Sequence, residues 1–181
     1  IAIKADAITL EGQDSAILAG PGAGGNRFNV NLAAKKVDIK GTVTGVGGDI
    51  DINPNIGGDV TITAPGMGAS ISAGTSPQGE RTHVTINKNA KGTVKILGEI
   101  QARGQGTTVL ANLTGDGSFI DTKADDFGGG VFTKDAIGVS DGAKVDLNIN
   151  GNDSFVRGDT AVSDKGTLVI HATGERFALK R

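Results

Sequence analysis

Three aspartates in the second half of the chain, Asp121, Asp125 and Asp126, have the spacing that acid–base chemistry could use. Two carboxyl groups cleave a glycosidic bond when one protonates the leaving oxygen and the other attacks or activates water. The two histidines, His83 and His171, are far apart in sequence and flank no carboxylate pair. Because a run of glycines follows these aspartates, a hydrated acidic turn is the simpler interpretation, and we predict no catalytic residue.

A second candidate is the tripeptide Arg157-Gly158-Asp159, which directly follows the apolar pair Phe155-Val156. It is similar to the integrin-recognition tripeptide, in which an exposed loop presents a cation and an anion on either side of a flexible glycine. A position at a strand exit favours exposure, so we predict ligand binding at these three residues. A chance occurrence in a chain rich in Gly and Asp is the alternative.

A glycine-rich segment, Gly20–Gly25, matches the G-x-G-x-x-G pattern of dinucleotide-binding turns. That chemistry needs a helix after the turn, because the pyrophosphate rests on the N-terminus of the helix. Here Phe28, Val30 and Leu32 follow at a spacing of two, which predicts a strand. We therefore predict a glycine-rich corner and no nucleotide cofactor.

Other polar motifs have similarly simple explanations. Asp49, Asp51 and Asn53 alternate along a strand and could hold a hard cation, but the polar half of an amphipathic strand is the simpler explanation. Ser118 and Ser154 each follow an acidic turn and precede a Phe, which predicts recurring entries into strands and no nucleophile. We predict neither a metal nor any other cofactor.

The elements that must position these residues are short strands that recur along the chain. Couplets such as Val60-Thr61-Ile62 and Val84-Thr85-Ile86 place apolar side chains at i and i+2, on one face of an extended strand. One series of strands begins at Ile8, Val30, Ile50, Ile71, Val94, Ile120, Val145 and Leu168. A second series runs through Ile17, Val37, Val60, Val84, Val109, Val131, Val156 and Phe177. A fixed period of a little over twenty residues predicts a solenoid.

Composition agrees with a narrow coil. The chain has 181 residues, of which 37% are hydrophobic but only 3% aromatic, and it contains 30 glycines and no cysteine. Stacked Val, Ile, Leu and Ala fill a thin interior, and glycines form its corners. The longest helix candidate, residues 32–37, is too short to count against an all-β chain.

Charge and hydropathy exclude other classes. A net charge of −2 gives no electrostatic case for nucleic acid or an anionic membrane surface. No apolar run approaches the roughly 20 residues of a membrane helix, so we predict no direct membrane insertion by this segment. We expect residues 1–181 to form one module. Because the chain begins with Ile, we expect this module to be a processed product or a fragment of a longer exported protein.

The repeats at 58–63 and 144–151, rich in Gly, Asn, Thr, Asp and Val, resemble those of bacterial autotransporter passengers and filamentous adhesins. The resemblance covers nearly the whole chain. It implies a right-handed parallel β-helix of about eight coils, exposed on the bacterial cell surface or secreted. It also implies attachment to a host surface protein or glycan, or to identical molecules on neighbouring cells. A polysaccharide-active lyase or hydrolase and a passive structural stalk remain the alternatives.

Overall fold

The computed structural model describes residues 1–12, 15–22, 27–53, 55–63, 69–122 and 135–180. Every regular element in these ranges is a strand, so the predicted all-β class is confirmed for the described residues. No helix in the same ranges is long and apolar enough to cross a membrane.

The described residues form 21 strands. In chain order they are β1 (Ala2–Lys4), β2 (Ala7–Leu10), β3 (Ala16–Pro21), β4 (Arg27–Phe28), β5 (Val30–Ala33), β6 (Lys36–Lys40), β7 (Thr42–Val46), β8 (Ile50–Ile52), β9 (Asp59–Thr63), β10 (Ala69–Gly74), β11 (His83–Ile86), β12 (Val94–Leu97), β13 (Glu99–Arg103), β14 (Thr108–Leu113), β15 (Phe119–Asp121), β16 (Asp135–Ser140), β17 (Lys144–Ile149), β18 (Phe155–Arg157), β19 (Asp159–Val162), β20 (Thr167–Ala172) and β21 (Ala178–Lys180).

These strands form three sheets of seven strands each. Sheet A has the order β1-β5-β8-β11-β14-β17-β20, sheet B the order β2-β6-β9-β12-β15-β18-β21, and sheet C the order β19-β16-β13-β10-β7-β3-β4. The chain therefore passes through A, B and C in turn and adds one parallel strand to each sheet on every pass. The exception is β4, which pairs antiparallel with β3 at the end of sheet C.

Two predicted details of the repeat are wrong. The two series join strands of different sheets: Ile8 pairs with Val37 in sheet B, whereas Val30 pairs with Ile50 in sheet A. The spacing between paired strands is also uneven, from 20 residues at Val30 and Ile50 to 37 at Ile100 and Ile137. The turns between strands differ in length. A series of strands chosen at an even residue spacing therefore passes from one sheet to another. Val131 lies outside the described residues.

The core lies between the three sheets. Its buried hydrophobic side chains are all Ala, Val, Leu or Ile, as the composition predicted, and Val60, Val84 and Ile62 are fully buried among them. Burial of each large aliphatic side chain contributes about 1.5–3 kcal/mol. Alternate residues of each strand point outward, so every sheet presents an outer face of side chains in register.

Candidate functional site

The candidate residues Asp121 and Arg157 meet on the outer face of sheet B. Asp121 ends β15, Arg157 ends β18, and the two residues are partners in the register of these parallel strands. The Nε atom of Arg157 lies 2.8 Å from Oδ1 of Asp121, and Nη2 lies 2.5 Å from Oδ2. The Asp121 side chain is only 4% exposed, whereas that of Arg157 is 35% exposed. This two-pronged contact is the geometry in which guanidinium–carboxylate pairs bind most strongly.

Two phenylalanines lie beside this ion pair. Phe119 and Phe155 precede Asp121 and Arg157 by two residues, so they share the same outer face, and their rings stack at 5.1 Å with an angle of 10°. The Nζ atom of Lys180 lies 4.4 Å from the centroid of the Phe155 ring, and Cζ of Arg157 lies 5.9 Å from it. Cations over an aromatic face are attracted by its negative quadrupole. The rings and the ion pair thus tie β15, β18 and β21 together.

The tripeptide Arg157-Gly158-Asp159 is a corner between two strands. Arg157 belongs to β18, and Asp159 begins β19. Gly158 is buried, its φ is +127°, and its N–H donates to the carbonyl of Lys180 at 2.9 Å. A Cβ atom at this position would come within 2.3 Å of Thr122 Oγ1. The expected exposed loop is therefore found only in part, since Arg157 is bound to Asp121 and Asp159 is half-buried.

The acidic group predicted at Asp121, Asp125 and Asp126 is described only at its first member. Asp125 and Asp126 lie outside the described residues. Asp121 neutralises Arg157 on the next strand, which is a structural role.

The cation site considered at Asp49, Asp51 and Asn53, as the alternative to a polar strand face, is not assembled. Asp49 accepts hydrogen bonds from Arg27 and from the backbone of His83, and Asp51 accepts one from Thr85. Asn53 does not face outward as expected. It is fully buried with a φ of 49°, and its Oδ1 accepts from the backbone N–H of Ala34. In the described ranges, no three His, Cys, Asp or Glu side chains are grouped to hold a metal.

The motifs assigned to turns agree with the structure where it describes them. Ser118 and Ser154 are fully buried, and the Oγ atom of Ser118 donates to the carbonyl of Gly115 at 2.6 Å. The described residues after the Gly20–Gly25 segment form the strands β4 and β5, as predicted, although residues 23–25 are outside the described part of the chain.

Two depressions that the sequence did not indicate lie near these residues. The first, of about 350 Å³, lies on the outer face of sheet C and is lined by Glu99, Gln101, Arg103, Asp135, Gly138, Val139, Ser140, Ala161 and Ser163. The second, of about 540 Å³, lies at the corner of sheets B and C and is lined by Asp135, Val156, Gly158, Asp159, Thr160, Leu179 and Lys180. Because Asp135 lines both, we treat the two depressions as one surface, the sheet C groove.

Glu99 is the most deeply buried charged side chain of this groove. It is 5% exposed, and its Oε1 accepts a hydrogen bond of 3.0 Å from Gln101 Nε2. Burial raises the pKa of Glu99 above its ordinary value, because a carboxylate loses hydration there. The hydrogen bond from Gln101 opposes this rise in pKa, Asp135 adds to it, and Arg103 opposes it more weakly.

The sequence indicates only the part of the groove that β13 forms. Ile100 and Ala102 alternate with Glu99, Gln101 and Arg103, which predicts an outward polar row on β13. The floor consists of the small residues Gly138, the register partner of Gln101, and Ala161, the register partner of Gly138 on the next strand. These residues are far from Gln101 in sequence, so the concave shape could not be foreseen.

No family model, no curated protein and no solved structure matches the chain. Function is therefore inferred from the residues and their geometry.

Proposed function

We propose that this chain is an adhesion module of a bacterial cell-surface or secreted protein, built as a right-handed parallel β-helix. It attaches to a host surface protein or glycan, or to identical molecules on neighbouring cells. The recurrent passage of the chain through sheets A, B and C supports the helical winding, and the repeat style resembles autotransporter passengers and filamentous adhesins.

The observation that carries the proposal is the set of side-chain columns on the outer faces. In sheet A, Asn148 Nδ2 donates to Asn112 Oδ1 at 2.8 Å, and Thr85 bonds to Asp51 in the same way across strands. Sheet B adds the stacked Phe119 and Phe155 rings. Neighbouring strands are about 4.8 Å apart, so such columns offer polar groups at a regular spacing along the molecule. A long, regular polar surface suits many weak contacts with an extended partner or a second copy.

Display of the whole chain on non-adherent bacterial cells tests this function. We expect displayed chains to increase attachment to host cells or aggregation of the displaying cells relative to the empty display scaffold. Val60→Asp, displayed at the same level, should abolish either effect because it disrupts the core. A folded, displayed wild-type chain that promotes neither attachment nor aggregation would rule out the adhesion function.

Charge reversal of one outer face then separates self-association from host binding. Lys40 and Lys95 both point outward from sheet B, so Lys40→Glu with Lys95→Glu changes that face without touching the core. Loss of aggregation with retained host-cell attachment assigns the face to contacts between copies. Loss of attachment alone assigns it to the host ligand.

The second candidate function is a polysaccharide-active enzyme, and the pairing of Glu99 with Asp135 in one groove favours it. A carboxyl group with a raised pKa beside a second carboxyl group is the arrangement that glycoside hydrolysis uses. Incubation with polysaccharides, followed by assays for reducing and unsaturated ends, distinguishes the two functions. Release of either kind of end that is lost in Glu99→Gln would make the chain an enzyme.

A further inference from the structure

The sheet C groove has a wall of long polar side chains and a floor of small ones. Glu99, Gln101 and Arg103 project from alternate positions of β13, about 7 Å apart from one to the next. On the neighbouring strand Gly138 is the register partner of Gln101, and Ala161 follows on the strand after it. The missing side chain at Gly138 creates the depth, since a Cβ atom there would lie only 3.0 Å from Glu99 Oε1.

The groups in this wall are suited to hydroxyl-rich ligands. Glu99 is only 5% exposed and fixes the amide of Gln101 by accepting a hydrogen bond from its Nε2. The Gln101 amide oxygen and the guanidinium of Arg103 are the groups that can bond hydroxyl groups of a ligand. The serine side chains Ser140 and Ser163 add hydroxyl groups at the end of the groove beside Arg103. A few placed polar groups in a concave surface are what orients a small ligand in a binding site.

The charge of the groove selects among such ligands. Asp135 and Asp159 are register partners at the junction of the two depressions, and Glu99 lies on the same face. Among the described residues that line the first depression, the two carboxyl groups of Glu99 and Asp135 face one cation, Arg103. A ligand with a carboxylate on every sugar would therefore be repelled at the centre of the groove.

We propose that the sheet C groove binds a neutral glycan chain, with hydroxyl groups bonded by Gln101, which Glu99 orients, and by Arg103. The inference rests on the proposed adhesion function and names its ligand class. The chain of sugars runs along the first depression from Ser140, beside Arg103, towards Asp135 and the second depression, which lies at the last strands of sheets B and C. Individual contacts are weak, and many displayed copies supply the avidity.

The test uses the purified whole chain and two sets of probes, neutral hexose oligosaccharides (cellohexaose, maltohexaose and mannohexaose) and hexagalacturonate. Backbone amide chemical shifts are followed by NMR during titration. We expect at least one neutral probe to shift the amides of Gly138 and Gln101 and to bind at least about tenfold more tightly than hexagalacturonate. No shift with any neutral probe, or equal or tighter binding of hexagalacturonate, overturns the proposal.

Two variants locate the site. Gly138→Val fills the floor, and Gln101→Ala removes the centre of the wall; each should weaken binding of the neutral probe at least about tenfold. Thr61→Val on the outer face of sheet B is the control and should bind as the wild type does. If Gly138→Val does not fold, Gln101→Ala alone decides. Wild-type affinity in a folded Gly138→Val or Gln101→Ala variant places the site elsewhere and overturns the proposal.

The display assay separates this inference from the proposed function. Host-cell attachment that persists in Gly138→Val rejects the glycan groove and leaves the adhesion function standing. An absence of attachment and aggregation in the wild type rejects the adhesion function, whatever the titration of the purified chain shows.

Discussion

Arg157 binds Asp121 through two hydrogen bonds between neighbouring parallel strands, although 36 residues separate them in the chain. The contact joins a residue of an integrin-type tripeptide to a residue of a candidate acidic cluster. The two side chains neutralise each other at a position where Asp121 is almost fully shielded from water. Because removing a charged group from water costs free energy unless it is paired, Arg157 is first of all a structural residue.

Loss of Arg157 should therefore destabilise the chain. Arg157→Gln removes two charge-assisted hydrogen bonds to the buried carboxylate of Asp121, so it should lower the free energy of unfolding by about 3 kcal/mol. Arg176→Gln is the matched control, because Arg176 pairs with Asp153 on the exposed surface, where water screens the interaction. Urea denaturation followed by circular dichroism measures both. Equal effects of the two substitutions would contradict a structural role for the Asp121–Arg157 pair.

The tripeptide itself should not be required for attachment to host cells. Gly158 is buried and Arg157 is bound to Asp121, so the cation and the anion are not presented across a flexible loop. We expect Asp159→Glu, displayed on cells, to attach as the wild type does. Attachment that is lost while the melting temperature is unchanged would instead support integrin-type recognition at Arg157-Gly158-Asp159.

Gly158 should be intolerant of any side chain. Its φ of +127° is strained for other residues, and a Cβ atom would also meet Ala136 Cβ at 2.9 Å. Gly158→Ala should cost about 2 kcal/mol or more, measured as a lower free energy of unfolding. Gly74→Ala is the control, because no atom lies within 4 Å of a Cβ built there. A neutral Gly158→Ala would mean that the corner between β18 and β19 relaxes readily.

The direction in which each strand faces can be tested at neighbouring positions of β9. Val60 is fully buried, so Val60→Asp should lower stability by several kcal/mol or prevent folding, because the carboxylate has no partner in the core. Thr61 points outward between Asp38 and Lys95, so Thr61→Asp should cost little. Thermal unfolding compares them. An unchanged melting temperature for Val60→Asp would refute the assignment of the core.

Glu99 should make stability depend on pH. Its pKa is raised in the folded chain above the ordinary 4.5, mainly by burial, so the folded state favours the protonated carboxyl. This contribution to stability is fully present below pH 4.5 and is lost as pH rises through the folded pKa. Glu99→Gln should therefore unfold at a higher temperature than the wild type at pH 7 and at a similar temperature at pH 4. A constant difference between pH 4 and pH 7 would exclude Glu99 as the cause.

The sequence by itself determined the local structure of this protein. Apolar residues at i and i+2, as at Val60 and Ile62, define a strand and its buried face without reference to any other part of the chain. The same pattern excluded a helix after Gly20–Gly25, because Val30 and Leu32 are buried on one face of β5. Scarce aromatic residues correctly predicted a core of Ala, Val, Leu and Ile in the described residues.

Only the tertiary structure decided which strands are neighbours. Sheet membership depends on the lengths of the turns and on hydrogen bonds between distant segments. The evenly spaced series predicted from the sequence therefore placed Ile8 and Val30 together, although they belong to different sheets. The burial of Asn53 depends on the backbone of Ala34, which its side chain satisfies. The Asp121–Arg157 contact and the groove over Gly138 arise in the same way. Both are made between side chains of adjacent parallel strands, and parallel neighbours are always distant in sequence.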